Sequence, residues 1–333
     1  MTTNFNPGIP CDRFSSNLCL FIEHLEKGDA MRIAVIGAGA LGLYYGAMLQ
    51  RAGQDVRFLL RRDFQAISRS GLRVTSPAGD FHLDGIKAYR NPAEMGSVDL
   101  VLVGLKTFAN ERLIELVEPV MGENTAVLTL QNGLGNEERL ADAFGASRVL
   151  GGIAFLCSNR GEPGTVHHLG EGRIRLGEFS QGLSERADAI AAMFREAGVP
   201  CEAVADLRRA RWEKLVWNIP FNGLCALTGK DVTELLGHGP SRAEIIAIMQ
   251  EVIAAANRQD LSLPIKPEPF ISKMISATET MHHYRPSMMI DRLEERPLEL
   301  EAIYGIPLQR AAEKGAEMVR VGMLYALLNL GER

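Results

Sequence analysis

Three spaced glycines, and a lysine followed by two amides, are the groups in this sequence whose type and spacing could do chemistry. Gly37, Gly39 and Gly42 lie in Met31-Arg-Ile-Ala-Val-Ile-Gly-Ala-Gly-Ala-Leu-Gly42. An apolar run suited to a buried parallel strand (33–36) leads straight into them, and a helix-like segment (43–51) follows. Each glycine has its own physical job. Gly37 permits a tight turn, Gly39 lets backbone approach a pyrophosphate, and Gly42 lets the helix pack close to the strand. The phosphates of a dinucleotide would then meet the free N–H groups of the helix N-terminus. Gly37, Ala38, Gly39, Ala40, Leu41 and Gly42 are therefore the expected cofactor-binding stretch.

The lysine and the amides stand in Arg211-Trp-Glu-Lys-Leu-Val-Trp-Asn-Ile-Pro-Phe-Asn-Gly223, where Lys214, Asn218 and Asn222 recur every four positions. That spacing stacks them on one face of a helix, with Leu215, Val216 and Ile219 elsewhere. Amides and an ammonium are poor choices for a core stripe. A solvated face would also accept them, but the neighbouring tryptophans and the lack of other charge on this face favour the wall of a cleft. Pro220 removes a backbone donor inside this helix and should kink it between the two asparagines.

The elements that must position these groups read as a dinucleotide-binding sheet. Gly53-Gln-Asp-Val-Arg-Phe-Leu-Leu-Arg-Arg62 is a second strand opened by a turn. Where an NAD-binding version carries a carboxylate for the ribose 2′-OH, this chain has Arg61 and Arg62. A guanidinium pairs with a 2′-phosphate that a carboxylate would repel, so NADPH is the expected cofactor. Residues 71–90 suggest a small hairpin excursion. The run 98–105 is a buried strand ending in Lys106, 111–120 has helical spacing, and 126–130 is a strand ending in Gln131-Asn132-Gly133. Ligands lie beyond the carboxyl ends of such strands, which places Lys106 and Asn132 toward the cofactor. A weaker strand (148–155), hairpin-like alternation (165–177), a helix (184–197) and a short strand (199–205) close the first domain. His167 and His168 point to opposite faces of a strand and so cannot easily chelate one ion together.

From Leu207 the pattern is helical almost throughout, with helices over 207–227 and 241–258 and a break at the three prolines of 264–269. The fold class is therefore α/β: an N-terminal Rossmann-type doubly wound sheet (31–206) followed by an all-helical C-terminal domain (207–333). Residues 1–30 match neither a secretory signal nor a transit peptide and are expected to be a disordered leader.

With 333 residues the chain can build two cores, and a net charge of −5 without a basic face argues against nucleic acid. Apolar runs are too short to cross a bilayer. Cys11, Cys19, Cys157, Cys201 and Cys225 are odd in number and scattered, which disfavours disulfides and structural zinc and fits a reducing cytoplasm. No metal is expected. A homodimer is compatible with the sequence, which does not fix the oligomeric state.

Taken together, these motifs resemble the ketopantoate reductase (2-dehydropantoate 2-reductase) family over nearly all of residues 31–325. They are Gly-Ala-Gly-Ala-Leu-Gly42, Val-Gly-Leu-Lys106, Gln-Asn132-Gly, Trp-Glu-Lys214-Leu-Val-Trp-Asn218 with Asn222, Pro-Ser287-Met-Met-Ile-Asp291, and Arg-Pro-Leu-Glu299-Leu-Glu. The resemblance implies NADPH-dependent reduction of a 2-oxo acid to a 2-hydroxy acid, the pantoate-forming step toward pantothenate and coenzyme A. It implies Lys214 as the proton donor to the carbonyl oxygen and Glu299 as the acidic partner near the same hydroxyl and the cofactor. Asn218, Asn222, Ser287 and Asn132 would hold substrate, Lys106 and Asn132 would lie near the nicotinamide and ribose, and Arg61 would grip the 2′-phosphate.

Two places depart from the family's pattern. Its Thr-Glu-Ile-Asp and later Asn-Gly are here Leu298-Glu299-Leu300-Glu301 and Tyr304-Gly305, so the pocket near Leu298 and Tyr304 is expected to differ. A changed pocket contact shifts specificity by a few kcal/mol, which leaves a reductase of another 2-oxo acid as an alternative. A protein that senses NADPH without turnover is a third reading, disfavoured by the retention of Lys214 and Glu299 together.

Overall fold

The structure, a computed structural model, describes residues 30–332. The expected leader, with Cys11 and Cys19, lies outside the described residues. The first strand, β1 (Arg32–Ile36), feeds helix α1 (Ala40–Arg51), and β2 (Asp55–Leu59) lies parallel beside β1. After α2 (Phe64–Ser70), the hairpin expected within 71–90 is β3 (Leu72–Thr75) and β4 (Phe81–Leu83). Next come β5 (Lys87–Tyr89), β6 (Leu100–Val103), α3 (Leu113–Val117), β7 (Ala126–Thr129) and α4 (Asn136–Phe144). The domain ends with β8 (Val149–Arg160), β9 (Thr165–Glu178), α5 (Glu185–Glu196) and β10 (Cys201–Ala203).

One sheet has the order β4-β3-β9-β8-β7-β6-β1-β2-β5, with β10 alongside β9. Its central strands are parallel and buried on both faces. Side chains alternate between two cores: Ile33 and Val35 join Leu102 and Leu128 on one side, Ala34 and Ile36 join Val101 and Val103 on the other. Chain order reverses between β1 and β6, where a doubly wound sheet leaves its ligand crevice.

Two local expectations are corrected. The segment 111–120 is helical only over α3, because 3₁₀ turns at 107–112 and 118–120 flank it and Pro119 lies in the second of these. The weak strand at 148–155 extends to Arg160 and forms with β9 one long antiparallel ribbon, register-shifted at Phe155/Leu156 and Cys157/Ser158. The expected helix over 207–227, with Pro220 inside it, is present and forms the centre of the helical domain. Helix α6 (Leu207–Thr228) runs through Pro220 as a single element of 22 residues.

Asp206 caps α6 by accepting from Arg209 N at 2.8 Å, and Gly229 ends it in the left-handed conformation at φ 68°. Around it pack α7 (Val232–Gly237), α8 (Gly239–Ala256), α9 (Pro267–Glu279) and α10 (Ser287–Leu293). A π-helical turn (Glu301–Gly305), α11 (Ile306–Glu313) and α12 (Val319–Leu330) complete the domain. No strand follows Ala203 among the described residues, and no helix among them is long and apolar enough to cross a membrane.

Candidate active site

Local geometry explains each glycine of the cradle. Gly37 has φ +98°, and a Cβ there would lie 2.3 Å from Leu105 N; one on Gly42 would lie 2.3 Å from the Gly37 carbonyl oxygen. Gly39 differs, because its Cβ would meet nothing within 4 Å. Gly39 is also the N-cap of α1 and offers no side chain to the first-turn N–H groups of Ala40 and its neighbours. A phosphate fits that open end. Arg61, just past β2, is exposed and without a side-chain partner among the described residues. The nearby carboxylate of Asp63 is buried against Arg160 and accepts from Gly164 N, so it does not contest that place. The residues present therefore fit the phosphates of a dinucleotide at the glycine turn, with an uncommitted guanidinium just past β2.

Further along the sheet edge, the groups that follow β6 and β7 meet the helical domain. Lys106 Nζ donates to Asp291 Oδ2 at 2.7 Å and to Glu299 Oε2 at 3.3 Å. Glu299 also accepts from Thr107 N at 3.0 Å and from Asn132 Nδ2 at 3.2 Å. Asn132 Oδ1 in turn accepts from Lys214 Nζ at 2.8 Å, and the Ala154 carbonyl accepts from the same ammonium at 2.7 Å. A continuous chain of polar contacts thus runs from Asp291 through Lys106, Glu299 and Asn132 to Lys214. The π-helical turn after Glu299 turns the Ala302 carbonyl to Leu134 N at 2.9 Å, which docks the Asn132 loop on the helical domain. Gly133, φ +77°, makes this approach, since a Cβ there would lie 2.2 Å from Ala302 O.

Charge balance sets these groups apart. Burial pushes the Lys214 ammonium down, Arg211 and Lys106 push the same way, and Glu299 resists, leaving it at about 7. For Glu299, burial alone would raise the carboxyl, but Lys106, Thr107 N–H and Asn132 outweigh it and hold it below its ordinary value. Lys106 is the converse: burial would lower it, and its two carboxylate partners keep it above the usual lysine value.

Asn218 and Asn222 are both buried, at 5% and 2% exposure, so the stripe of α6 is no solvated face. Asn222 Oδ1 accepts from Met288 N at 3.3 Å, which brings Ser287, the first residue of α10, beside it. The Asn218 side chain has no hydrogen bond among the described residues. Leu298 is buried at 5% exposure, and Tyr304, expected near the pocket, is fully buried. The Tyr304 hydroxyl donates to the Ile219 carbonyl at 2.9 Å, so it braces α6 from inside the domain. His167 and His168 hydrogen-bond Thr75 Oγ1 and Ser76 Oγ, pinning the ribbon to β3, and no metal-holding cluster occurs among the described residues.

Sequence reasoning overlooked several of these groups. The Ala154 carbonyl and Thr107 N–H carry no side-chain signal. Asp291 stood in a recognised motif without a role. Arg211 and Glu137, a buried ion pair joining α6 to α4, were given no role.

Fold and seam together define a two-domain protein with a dinucleotide-binding sheet and a helical domain that closes over its edge. Family models described as "Ketopantoate reductase PanE/ApbA" and "Ketopantoate reductase PanE/ApbA C terminal" match residues 33–181 and 206–332. A 2-dehydropantoate 2-reductase of Nostoc sp. is 42% identical over 299 residues, spanning 88% of this chain and 93% of that protein. The crystal structure of 2-dehydropantoate 2-reductase from Geobacter metallireducens shares 58% identity at a TM-score of 0.89, covering 90% of this chain and all of that one. A D-mandelate dehydrogenase with NADH and anilino(oxo)acetate, 22% identical at a TM-score of 0.81 over 91% of this chain and 98% of that one, shares the fold. The chain belongs to the ketopantoate reductase family.

Proposed function

We propose that this protein is an NADPH-dependent reductase that converts 2-dehydropantoate (ketopantoate) to pantoate in the cytoplasm. The single observation that carries the reading is the lysine at the seam. Lys214 is a partly buried ammonium with neutral hydrogen-bond partners and a pKa of about 7. When bound, the nicotinamide supplies a hydride, and negative charge then develops on the substrate's carbonyl oxygen. A lysine ammonium has three donors; two serve Asn132 and Ala154, and the third is free for that oxygen. An acid with a pKa near the working pH both holds its proton and gives it up readily.

The other residues orient and exclude. Asn132 fixes Lys214 from one side and Glu299 from the other, so proton donor and carboxylate share one anchor. Glu299 and Lys106, locked to each other, are placed for the hydroxyls of a nicotinamide ribose, with Glu299 also beside the nascent substrate hydroxyl. The free Asn218 amide, the remaining Asn222 donors and the Ser287 hydroxyl provide hydrogen bonds for the substrate's own oxygens. Gly37 to Gly42 take the pyrophosphate and Arg61 the 2′-phosphate. The strong likeness to the Nostoc and Geobacter proteins supports ketopantoate over other 2-oxo acids.

The test is NADPH oxidation with ketopantoate against a panel of branched and unbranched 2-oxo acids, repeated with NADH. Selective turnover of ketopantoate with NADPH is the expected result. A better oxo acid would keep the mechanism and overturn the substrate, and NADPH binding without turnover of any acid would overturn the reductase reading.

A further inference from the structure

The functional groups run across the sheet in strand order: Arg61 after β2, the glycines after β1, Lys106 after β6, Asn132 after β7, and then Ala154 and Phe155 on β8. The cofactor assignments occupy the β2-to-β6 side. On the sheet, the side of Lys214 toward β8 and β9 is left without a cofactor assignment. On β9, directly opposite Phe155 in the ribbon, stands Arg173. Opposed residues of an antiparallel pair share a face, and here they touch. The guanidinium carbon of Arg173 lies 4.4 Å from the Phe155 ring centroid, and Lys214 Nζ lies 5.7 Å from the same centroid, so the two cations are at most about 10 Å apart.

Charge pairing separates Arg173 from the paired cations of the seam. Arg175, two residues along the same face, is bound by Glu202 and Glu213. Lys106 is held by two carboxylates, Arg296 by Asp291 and Glu294, and Arg211 by Glu137. Arg173 is exposed and has no carboxylate partner among the described residues, only the aromatic face beneath it. A 2-oxo acid arrives as an anion, and the amides of Asn218 and Asn222 can hydrogen-bond it without neutralising it. A guanidinium lying on an aromatic ring keeps its donor fork free for a bidentate carboxylate.

We propose that Arg173 receives the carboxylate of the 2-oxo acid substrate and so selects acids over uncharged ketones, a role that rests on the reductase reading above. With the carbonyl oxygen at Lys214 and the carboxylate at Arg173, both contacts would lie beside the ring of Phe155. The acid and the anion-holder are then contributed by different domains.

Calorimetric titration of ketopantoate, and separately of its uncharged amide, into the protein saturated with NADP⁺ tests this without turnover. Arg173→Ala should weaken ketopantoate binding ten- to a hundredfold and leave the amide's affinity unchanged, while Arg173→Lys should fall between. Equal affinity of wild type and Arg173→Ala for ketopantoate, an equal loss for acid and amide, or a wild type that binds neither would each overturn the proposal. The two readings fail separately. A protein that reduces ketopantoate but binds it equally well without Arg173 loses only this proposal, and one that binds it through Arg173 but reduces nothing loses only the reductase reading.

Discussion

Arg211 and Lys214 are cations three residues apart on one helix, and the protein treats them oppositely. Arg211, 4% exposed, pairs with the buried carboxylate of Glu137 and also donates to the carbonyls of Gln131, at 2.7 Å, and Thr129, at 3.3 Å. Lys214 has only neutral acceptors, a side-chain amide and a backbone carbonyl. The first arrangement satisfies a permanent charge and ties the two domains together; the second leaves a charge that burial and its neighbours make easy to lose. A guanidinium cannot give up its proton at any working pH, whereas an ammonium can, so the residue types match the two tasks. The comparison teaches that partners, as much as burial, separate a structural cation from a reactive one.

Its sharpest test removes the reactive cation alone. Lys214→Ala should lower kcat by about 10² to 10⁴, the usual worth of a positioned proton donor, while NADPH affinity and the thermal transition stay close to wild type. Retention of more than a tenth of kcat would show that the proton comes from elsewhere. Removing the structural cation's partner should do the reverse. Glu137→Gln leaves Arg211 buried beside an uncharged group, and losing one member of such a pair costs about 3–5 kcal/mol of stability. Urea unfolding checks this; a loss below about 1 kcal/mol would mean that the carbonyls of Thr129 and Gln131 hold Arg211 on their own.

The same contrast explains what could be read from the sequence. The glycine cradle was legible because its geometry is local: strand, turn and helix start lie within twelve consecutive residues, and each glycine's need is set by its immediate neighbours. The α6 stripe was legible because spacing of four fixes a helix face, and the helix runs on through Pro220. Arg211 was not legible as structural, since its partner Glu137 lies 74 residues away and nothing local marks the pairing. Likewise the Ala154 carbonyl is 60 residues from Lys214, and every residue has a carbonyl. Both strands of the β8–β9 ribbon were marked, but the length of β8 and its pairing with β9 were not, because register shifts interrupt the ribbon where β8 runs on past Phe155. Arg173 gained meaning only when that register set it opposite Phe155.

The finest test concerns how the neighbours tune Lys214. A proton donor works while protonated, so kcat/KM for the substrate should be level at low pH and fall as pH rises through about 7, the pKa of the lysine at this seam. Glu299 raises that pKa and Lys106 lowers it, so two substitutions should move the falling limb in opposite directions. Glu299→Gln removes a negative charge that favours the ammonium, and the limb should shift to lower pH. Lys106→Met removes a positive charge that disfavours it, and the limb should shift upward. Both variants will also lose overall rate through cofactor contacts, so the readout is the position of the limb and not its height. If the limb stayed fixed in both, the titrating group would not be Lys214, and the contrast between the two cations of α6 would lose its chemical half.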